Sequence, residues 1–132
     1  ISTMDSMIGY KTRGLKEIGF AGARLDDLAN YIPARLSIIP IALARPFRAG
    51  AAIRAALRYH SATPSPNSGW PMAACAGALD IRLEKPGYYV LLDEGAEPQT
   101  SDVPRALGLM QTAIALTLAF ALLILFSWPV KA

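Results

Sequence analysis

The sequence contains few of the side chains that build disulfides and zinc sites. It has one cysteine, Cys75, and one histidine, His60, among 132 residues. A single cysteine cannot form an intrachain disulfide, and these two residues are too few for a Cys/His zinc site. The motif G-x-x-x-x-G-K-[ST] is also absent, which excludes a nucleotide site of the P-loop type.

Charged residues are scarce as well, at 17% of the chain against 53% hydrophobic residues. The formal net charge is +3, but the arginines lie among alanine and leucine, without aromatic platforms for stacking bases. We therefore expect no nucleic-acid partner, and favour anionic lipid headgroups or phosphorylated substrates. The chain begins with isoleucine instead of methionine, and we expect it to be part of a longer protein.

A long uncharged run lies close to the C-terminus. Residues 106–128 read "ALGLMQTAIALTLAFALLILFSW", and at about 1.5 Å per residue they can cross a hydrocarbon core of about 30 Å. Arg105 and Lys131 flank the run, and Trp128 stands where an interfacial ring would lie. The alternative is a buried helix of a soluble protein. The sequence predicts a membrane-associated helical region over 1–105 and a C-terminal transmembrane helix over 106–128.

Three shorter helical segments are predicted in the first half of the chain. The first spans Ala21 to Tyr31, and Pro33 should end or kink it, because proline lacks an amide hydrogen. The apolar segment 33–47 is too short for a full span, and it is either a re-entrant or interface-lying helix or part of a broken span. Residues 47–59 predict a basic amphipathic helix, which either lies along a headgroup surface or presents a solvated face.

The stretch "PSPNSGWPMAACAGAL" predicts a stiff proline-rich loop followed by a helix of small residues. Ala73 and Gly77 form a small-xxx-small pair that lets another backbone approach closely. The helix N-terminus could hold a phosphate or carboxylate, or the loop could be an ordinary proline-stiffened one. Farther on, the Lys85-Pro86-Gly87 turn predicts a short β-hairpin, and Asp102 or Ser101 is predicted to cap the final helix.

These segments together predict an all-α integral membrane protein with an irregular proline-rich loop and one short β-hairpin. Four of them occur in a recognisable order: "STMDSMIGYK", "GARLDDLANYIPARL", "PSPNSGWPMAACAGAL" and "DVPRALGLM". In these motifs the chain resembles the adenosylcobinamide-phosphate synthase family, the CobD/CbiB-type membrane proteins of cobalamin biosynthesis. The resemblance runs from about Ser2 into the final helix, and it implies that the chain is a fragment of a polytopic helical bundle.

The resemblance implies a multi-pass protein of the cell inner membrane, of which this chain is the C-terminal portion. Its implied partners are membrane lipid, the remaining N-terminal transmembrane helices and other cobamide-assembly membrane enzymes. The implied reaction is ATP-dependent ligation of adenosylcobyric acid with (R)-1-amino-2-propanol phosphate, or with aminopropanol, to give adenosylcobinamide phosphate. The corrinoid and the amino alcohol phosphate are its substrates, Mg²⁺ is the cofactor and ATP the co-substrate. The fragment need not be active by itself.

A ligase of this kind must hold ATP with Mg²⁺, neutralise the transferring phosphoryl group and place the amine for attack. Hard oxygen ligands and cations suit that task. The predicted Mg²⁺ ligands are Asp5, Asp26 and Asp27, and the predicted catalytic residues are Asp26, Asp27 and Arg24. The residues predicted to bind a phosphate, the substrate carboxylate or a corrin amide are Lys11, Arg35, Ser65, Asn67 and Ser68.

Several of these residues also have a purely structural interpretation. Asp27 could pair with Arg24 on one helix face, and Lys11 and Arg35 could be interfacial anchors. Asp5 could cap a turn. Trp70 is predicted to be a packing anchor in preference to a platform for a corrin ring.

His60 marks a departure from the family pattern. The family usually has a histidine two residues before Ser-Pro-Asn, where this chain has Thr63 and where His60 lies three residues earlier. We therefore predict His60 to be a surface histidine at a helix end, with no role as a general base.

Two other functions compete with the ligase. One is a non-catalytic membrane transporter or scaffold component, in which Asp26, Asp27 and Arg24 form an intramembrane polar cluster. The other is a peripheral lipid-binding module built on the basic helix. Polar groups next to the proline-rich loop favour the ligase, whereas polar groups at bilayer depth favour the transporter.

Overall fold

The computed structural model describes residues 16–127, with side chains from residue 24 onward. Within that range the chain is mostly helical and carries one small antiparallel sheet. The helices are α1 (Lys16–Leu36), α2 (Ile38–Ala44), α3 (Ala49–Tyr59), α4 (Gly69–Leu79) and α5 (Asp102–Ser127). Short 3-10 turns cover Pro46–Arg48 and His60–Ala62, and the strands are β1 (Leu83–Lys85) and β2 (Tyr89–Leu91).

Helix α5 is long and apolar enough to cross a membrane, by length and composition. Only 11% of its most apolar window is buried inside the molecule, whereas the core helix of a soluble protein is mostly buried. Its exposed large side chains include Leu118, Leu123 and Phe126. The helix begins at Asp102, before the uncharged run, as the cap predicted at Asp102 or Ser101 implies, and Pro104 lies in its first turn.

Helix α1 is longer than predicted. It continues past Tyr31 to Leu36 with Pro33 inside it, so of the two predicted effects of Pro33, an end or a kink, the end of the helix does not occur. Proline removes one backbone hydrogen bond, and side chains support the turn that follows. The Arg35 guanidinium donates to the Tyr31 carbonyl at 2.7 Å, and the Ser37 hydroxyl donates to the Ala34 carbonyl at 2.7 Å.

A sharp bend lies beyond α2. The chain direction changes by 117° between the helical stretches Arg24–Ala44 and Pro46–Ala62. Taken together, these two stretches are long and apolar enough for one membrane span. This geometry fits both predictions for the apolar segment, a re-entrant helix and a broken span. Pro40 lies in the first turn of α2, where a backbone N–H has no intrahelical partner, so it is tolerated there.

Helices α3 and α4 pack closely because their contact surfaces carry almost no side-chain volume. A Cβ atom added to Gly77 would lie 2.6 Å from the Ala51 carbonyl oxygen and 2.7 Å from the Ala55 Cβ. The prediction of a close approach at the small residues of α4 is therefore confirmed. The alanines buried in the core cluster around this contact are Ala52, Ala56, Ala74 and Ala78.

The predicted hairpin is also confirmed. Lys85 and Tyr89 form the strand pair next to the turn. Gly87, in the turn, has a φ of 77°, which glycine adopts at little cost. Leu91 is fully buried and anchors the second strand. Beyond it, hydrogen bonding with Glu94 and then with the Tyr59 hydroxyl lowers the pKa of Asp93 to about 2, and this acidic pair joins the hairpin to α3.

The start of α5 is fastened to the end of α4. Arg105 forms an ion pair with Asp102 and donates to the Leu79 carbonyl at 3.1 Å. The Asp102 carboxylate accepts the Gln99 backbone N–H at 2.9 Å, as the acidic residue does in a capping box. Asp102 therefore stabilises the start of this helix, but through a bond back to the preceding loop and not through the predicted N-cap bond to the following turn.

Candidate functional site

The proline-rich loop, residues 63–68, is braced by hydrogen bonds among its own polar groups. The Ser68 hydroxyl donates to Thr63 Oγ1 at 3.1 Å, and the Thr63 hydroxyl donates to the Ser65 carbonyl at 3.0 Å. The Asn67 backbone N–H donates to Ser65 Oγ at 3.3 Å. Among the described residues the Ser65 hydroxyl hydrogen has no acceptor, and Ser68 Oγ keeps a lone pair.

Asn67 attaches this loop to helix α1. Asn67 is only 6% exposed, and both ends of its side-chain amide have hydrogen-bond partners. Asn67 Nδ2 donates to the Asp27 carbonyl at 2.7 Å, and Asn67 Oδ1 accepts from Arg35 Nη1 at 3.5 Å. The structure therefore brings together three of the predicted site residues, which lie far apart along the chain.

Arg35 lies among aromatic rings. Its Cζ atom is 3.4 Å from the centroid of the Tyr31 ring and 5.0 Å from that of Trp70. The His60 ring stacks on Trp70 with centroids 4.0 Å apart and planes 5° apart. We call Tyr31, Arg35, Trp70 and His60 the stacked row. It joins α1, α4 and the 3-10 turn before the loop.

The stacked row confirms one prediction and corrects another. Trp70 is a packing anchor, as predicted. His60 lies at the end of α3, as predicted, but it is half-buried and stacked on an indole instead of lying free on the surface. A cause is the close contact at Gly69, where an added Cβ would lie 1.9 Å from the His60 carbonyl oxygen. The glycine lets the start of α4 approach the His60 turn, which the sequence alone did not reveal.

The predicted acidic residues lie on α1. Asp26 and Asp27 are both half-buried, and as neighbours on a helix they are directed about 100° apart. Asp27 shares its face with Tyr31 and Arg35, one and two turns farther on. The Asp26 carbonyl accepts the Asn30 side chain at 3.0 Å. Arg24 lies on the same helix and is exposed.

The Mg²⁺ prediction concerns three carboxylates. Among residues 16–127 no group of three or more His, Cys, Asp or Glu could hold a metal ion. Asp5, the third predicted ligand, lies outside the described residues, as does Lys11. The donor set of Asp26 and Asp27 nevertheless suits Mg²⁺, which commonly takes one or two carboxylates and completes its shell with water and substrate phosphates.

The chemistry of this arrangement is electrostatic. At the contact between α1 and the proline-rich loop, the Arg35 guanidinium and the Asp27 main-chain carbonyl bond to Asn67, and the same loop carries the Ser65 and Ser68 hydroxyls. The one cysteine is elsewhere, in an apolar groove lined by Ile41, Cys75, Leu109 and Ile114. Burial raises the pKa of the Cys75 thiol, which keeps it protonated and a weak nucleophile. The site can therefore bind and orient anions without a covalent intermediate on this chain's sulfur.

Comparison with known proteins places the chain in a family. A sequence profile described as CobD/Cbib protein matches residues 1–125. A probable cobalamin biosynthesis protein CobD from Methanothrix thermoacetophila is 54% identical over 95% of this chain and 40% of its own length. The cobalamin biosynthesis protein CobD of Rhodobacter capsulatus is 42% identical over 99% of this chain and 44% of its own length.

A third relative, from Yersinia enterocolitica, is 42% identical over 89% of the chain. No solved structure matches. The chain spans about two fifths of the length of these relatives, and the portion to which it corresponds is the C-terminal one. The match covers the motifs on which the resemblance rests, and the chain belongs to the CobD/CbiB family.

Proposed function

We propose that the chain forms part of a ligase of cobalamin biosynthesis, which joins adenosylcobyric acid to aminopropanol phosphate, or to aminopropanol, at the expense of ATP. The names of the relatives support a role in cobalamin biosynthesis. The reaction type is supported by one structural observation, the bonding of Asn67 to both Asp27 and Arg35. That contact sets the loop hydroxyls and the Arg35 guanidinium beside the helix that carries Asp26 and Asp27, and groups of these kinds are what phosphoryl transfer and amide formation need.

The proposed reaction has two steps. A corrinoid carboxylate oxygen attacks the γ-phosphorus of ATP, giving an acyl phosphate and ADP. The amine then attacks the acyl carbon, the amide C–N bond forms, and inorganic phosphate leaves while the amine loses a proton to solvent. Such a reaction depends mainly on holding the reactants in line and on neutralising charge.

Residues of this chain would serve those needs directly. Asp26 and Asp27 would hold Mg²⁺, which when bound neutralises charge on the nucleotide phosphates. Arg35 would bind an oxyanion of a substrate, and the Ser65 hydroxyl would donate to a phosphate or a corrin amide. Asn67 would keep the loop and the guanidinium in register. Arg24 and Lys11 remain predicted contributors of positive charge.

The proposal includes a membrane setting. Helix α5 would span the cell inner membrane, and the bent stretch from Arg24 to Ala62 would enter it or lie at its surface. Lipid and the N-terminal transmembrane helices of the full-length protein would cover the exposed apolar side chains. Other membrane enzymes of cobamide assembly are further proposed partners.

The contact between the Asp27 main chain and the proline-rich loop supports the ligase over the transporter or scaffold. A polar cluster built for ion passage has no need of a loop amide bonded to the helix carbonyl beside its carboxylate. The position of Asp27 next to Asn67 is the arrangement expected of the ligase.

The test is product analysis with a full-length protein that carries this sequence. Membranes receive cobyric acid, ATP, Mg²⁺ and aminopropanol phosphate, and the corrinoid amide is quantified by mass spectrometry. We expect Asp26→Asn and Asp27→Asn to lower amide formation more than about a hundredfold, since a lost metal ligand removes several kcal/mol of charge stabilisation. The matched control is Asp93→Asn, in the acidic pair beside Tyr59, and it should retain activity.

Two results would count against the proposal. Wild-type turnover in both α1 variants would reject Asp26 and Asp27 as metal ligands. Absence of any amide product from wild-type membranes, with either amino alcohol, would reject the ligase itself.

A further inference from the structure

The hydrogen bonds of Arg35 leave one edge of its guanidinium without a partner. The N–H donors of an arginine lie on Nε, Nη1 and Nη2. Arg35 Nη1 donates to the Tyr31 carbonyl at 2.7 Å and to Asn67 Oδ1 at 3.5 Å. Nε and Nη2 have no acceptor in the part of the chain that the structure describes. These atoms form the edge that can grip two oxygen atoms at once.

The stacked row holds this guanidinium in place. The Tyr31 ring covers it at 3.4 Å, Trp70 lies at 5.0 Å, and His60 stacks on Trp70. An arginine held by ring faces and by Nη1 acceptors loses little further conformational freedom when it binds a ligand. An arginine that served only as an interfacial anchor would need neither the rings nor a loop amide as a partner.

A second donor close by is also unpaired. Trp70 Nε1 is buried and has no hydrogen-bond partner among the described residues. A buried N–H normally has an acceptor, because leaving it unsatisfied costs free energy. Arg35 Cζ lies 5.0 Å from the centroid of the ring that carries this N–H, so both unpaired donors belong to the same cluster of side chains and point to a polar group that the described residues do not supply.

We propose that the Nε–Nη2 edge of Arg35 is a pre-oriented receptor for an oxyanion. Its positioning residues are Asn67 and the three ring residues of the stacked row, Tyr31, Trp70 and His60. The chemistry recognised is a pair of coplanar oxygen atoms on a carboxylate or phosphate. The proposal rests on the proposed function only for the identity of the anion. Three substrates carry such a group: the corrinoid acid, ATP and the amino alcohol phosphate.

Direct binding tests this inference independently of turnover. Detergent-solubilised full-length protein is titrated calorimetrically with cobyric acid, ATP and aminopropanol phosphate in separate arms, with unphosphorylated aminopropanol as a fourth arm. The variants are Arg35→Lys and Arg35→Gln. The matched controls are Arg54→Lys and Arg54→Gln, because Arg54 is an exposed arginine on α3.

We expect the Kd of one anionic ligand to rise about tenfold to hundredfold in both Arg35 variants. Lysine should fail as glutamine does, because an ammonium is a point charge and cannot present a planar fork. The Arg54 variants should bind as the wild type does. The ligand whose affinity changes identifies the anion, and a loss confined to the phosphorylated amino alcohol would assign its phosphate.

Full affinity of Arg35→Lys for all three anions would overturn the proposal, and so would failure of the wild-type protein to bind any of them. Thermal unfolding of each variant shows whether the fold is kept, and Arg35→Lys guards against a folding defect caused by loss of charge. Arg35-dependent binding without amide formation would reject the ligase and keep the receptor. Amide formation with KM values indifferent to Arg35 would do the reverse.

Discussion

Asn67 shows how much a single side chain decides in this protein. A sequence reader sees a turn-forming asparagine between Pro66 and Ser68 and assigns it to a ligand. The structure uses its amide to join α1 to the proline-rich loop, with a donor bond to Asp27 and an acceptor bond from Arg35. A buried amide with both ends bonded is costly to lose, because its former partners then lack theirs.

This leads to a prediction at the scale of one residue. Asn67→Ala should lower the free energy of unfolding by about 1–3 kcal/mol. It should also weaken binding of the anion at Arg35, raising KM more than it lowers kcat. The measurements are thermal unfolding in detergent and steady-state kinetics of the full-length protein.

A matched control exists on the same helix. Asn30 donates to the Asp26 carbonyl within α1, and the bond is exposed. Asn30→Ala should change stability by less than about 0.5 kcal/mol, as exposed polar contacts usually do. Equal effects of the two substitutions would show that the bonds of Asn67 to α1 carry no special weight.

Helices α3 and α4 owe their close contact to what their side chains lack. Alanine and glycine bring the two backbones within van der Waals reach at Gly77, and the core beside them is built largely from alanine. Their pattern in the sequence was sufficient to predict this, because small residues one turn apart make a flat helix surface whatever partner arrives.

The prediction at this scale concerns Gly77→Ala. The added methyl would meet the Ala51 carbonyl oxygen at 2.6 Å, so one helix must move, and we expect a loss of about 1–3 kcal/mol in unfolding free energy. Gly108→Ala is the control, because nothing lies within 4 Å of a Cβ there. It should be neutral or stabilising by up to about 1 kcal/mol. The two variants are compared by thermal unfolding, and matching melting temperatures would contradict the close contact.

The whole molecule is organised around an apolar helix that the described residues leave largely uncovered. Arg105 and Asp102 fasten the start of α5 to the end of α4. Farther along, Leu109 and Ala113 are buried in the core, while most of the other large apolar side chains are exposed. Water is a poor environment for so many exposed apolar groups. Lipid or further helices would cover them, as the membrane setting in the proposed function requires.

The corresponding prediction compares two exposed positions of α5. Ile114 is 56% exposed near the middle of the helix, and Val103 is 57% exposed at its start. In a bilayer, Ile114→Arg should cost about 2.5–3.5 kcal/mol of insertion free energy, whereas an arginine at Val103 can reach the headgroups. Insertion assays with glycosylation-site reporters measure the difference. Equal insertion of both variants, or recovery of the wild-type protein in a soluble fraction without detergent, would contradict a spanning helix.

What the sequence by itself determined was local in origin. The uncharged run predicted α5, Pro86 and Gly87 predicted the hairpin turn, and the small residues of α4 predicted its close packing. Each of these signals lies within a few adjacent turns or residues, so it can be read without knowing the rest of the fold. The family motifs could also be recognised from the sequence, because they depend only on the order of residues along the chain.

What only the tertiary structure decided were contacts between distant segments. Pro33 remains inside α1, His60 stacks on Trp70, and Asn67 bonds to α1 at Asp27 and Arg35. Each outcome depends on how α1, the loop and α4 pack against one another. The packing free energy belongs to all three segments together, so none of them shows it as a periodic pattern in its own sequence. Spacing along the chain was enough to predict which polar residues are candidates for the site. Which of them are in contact depends on the packing of the helices and the loop.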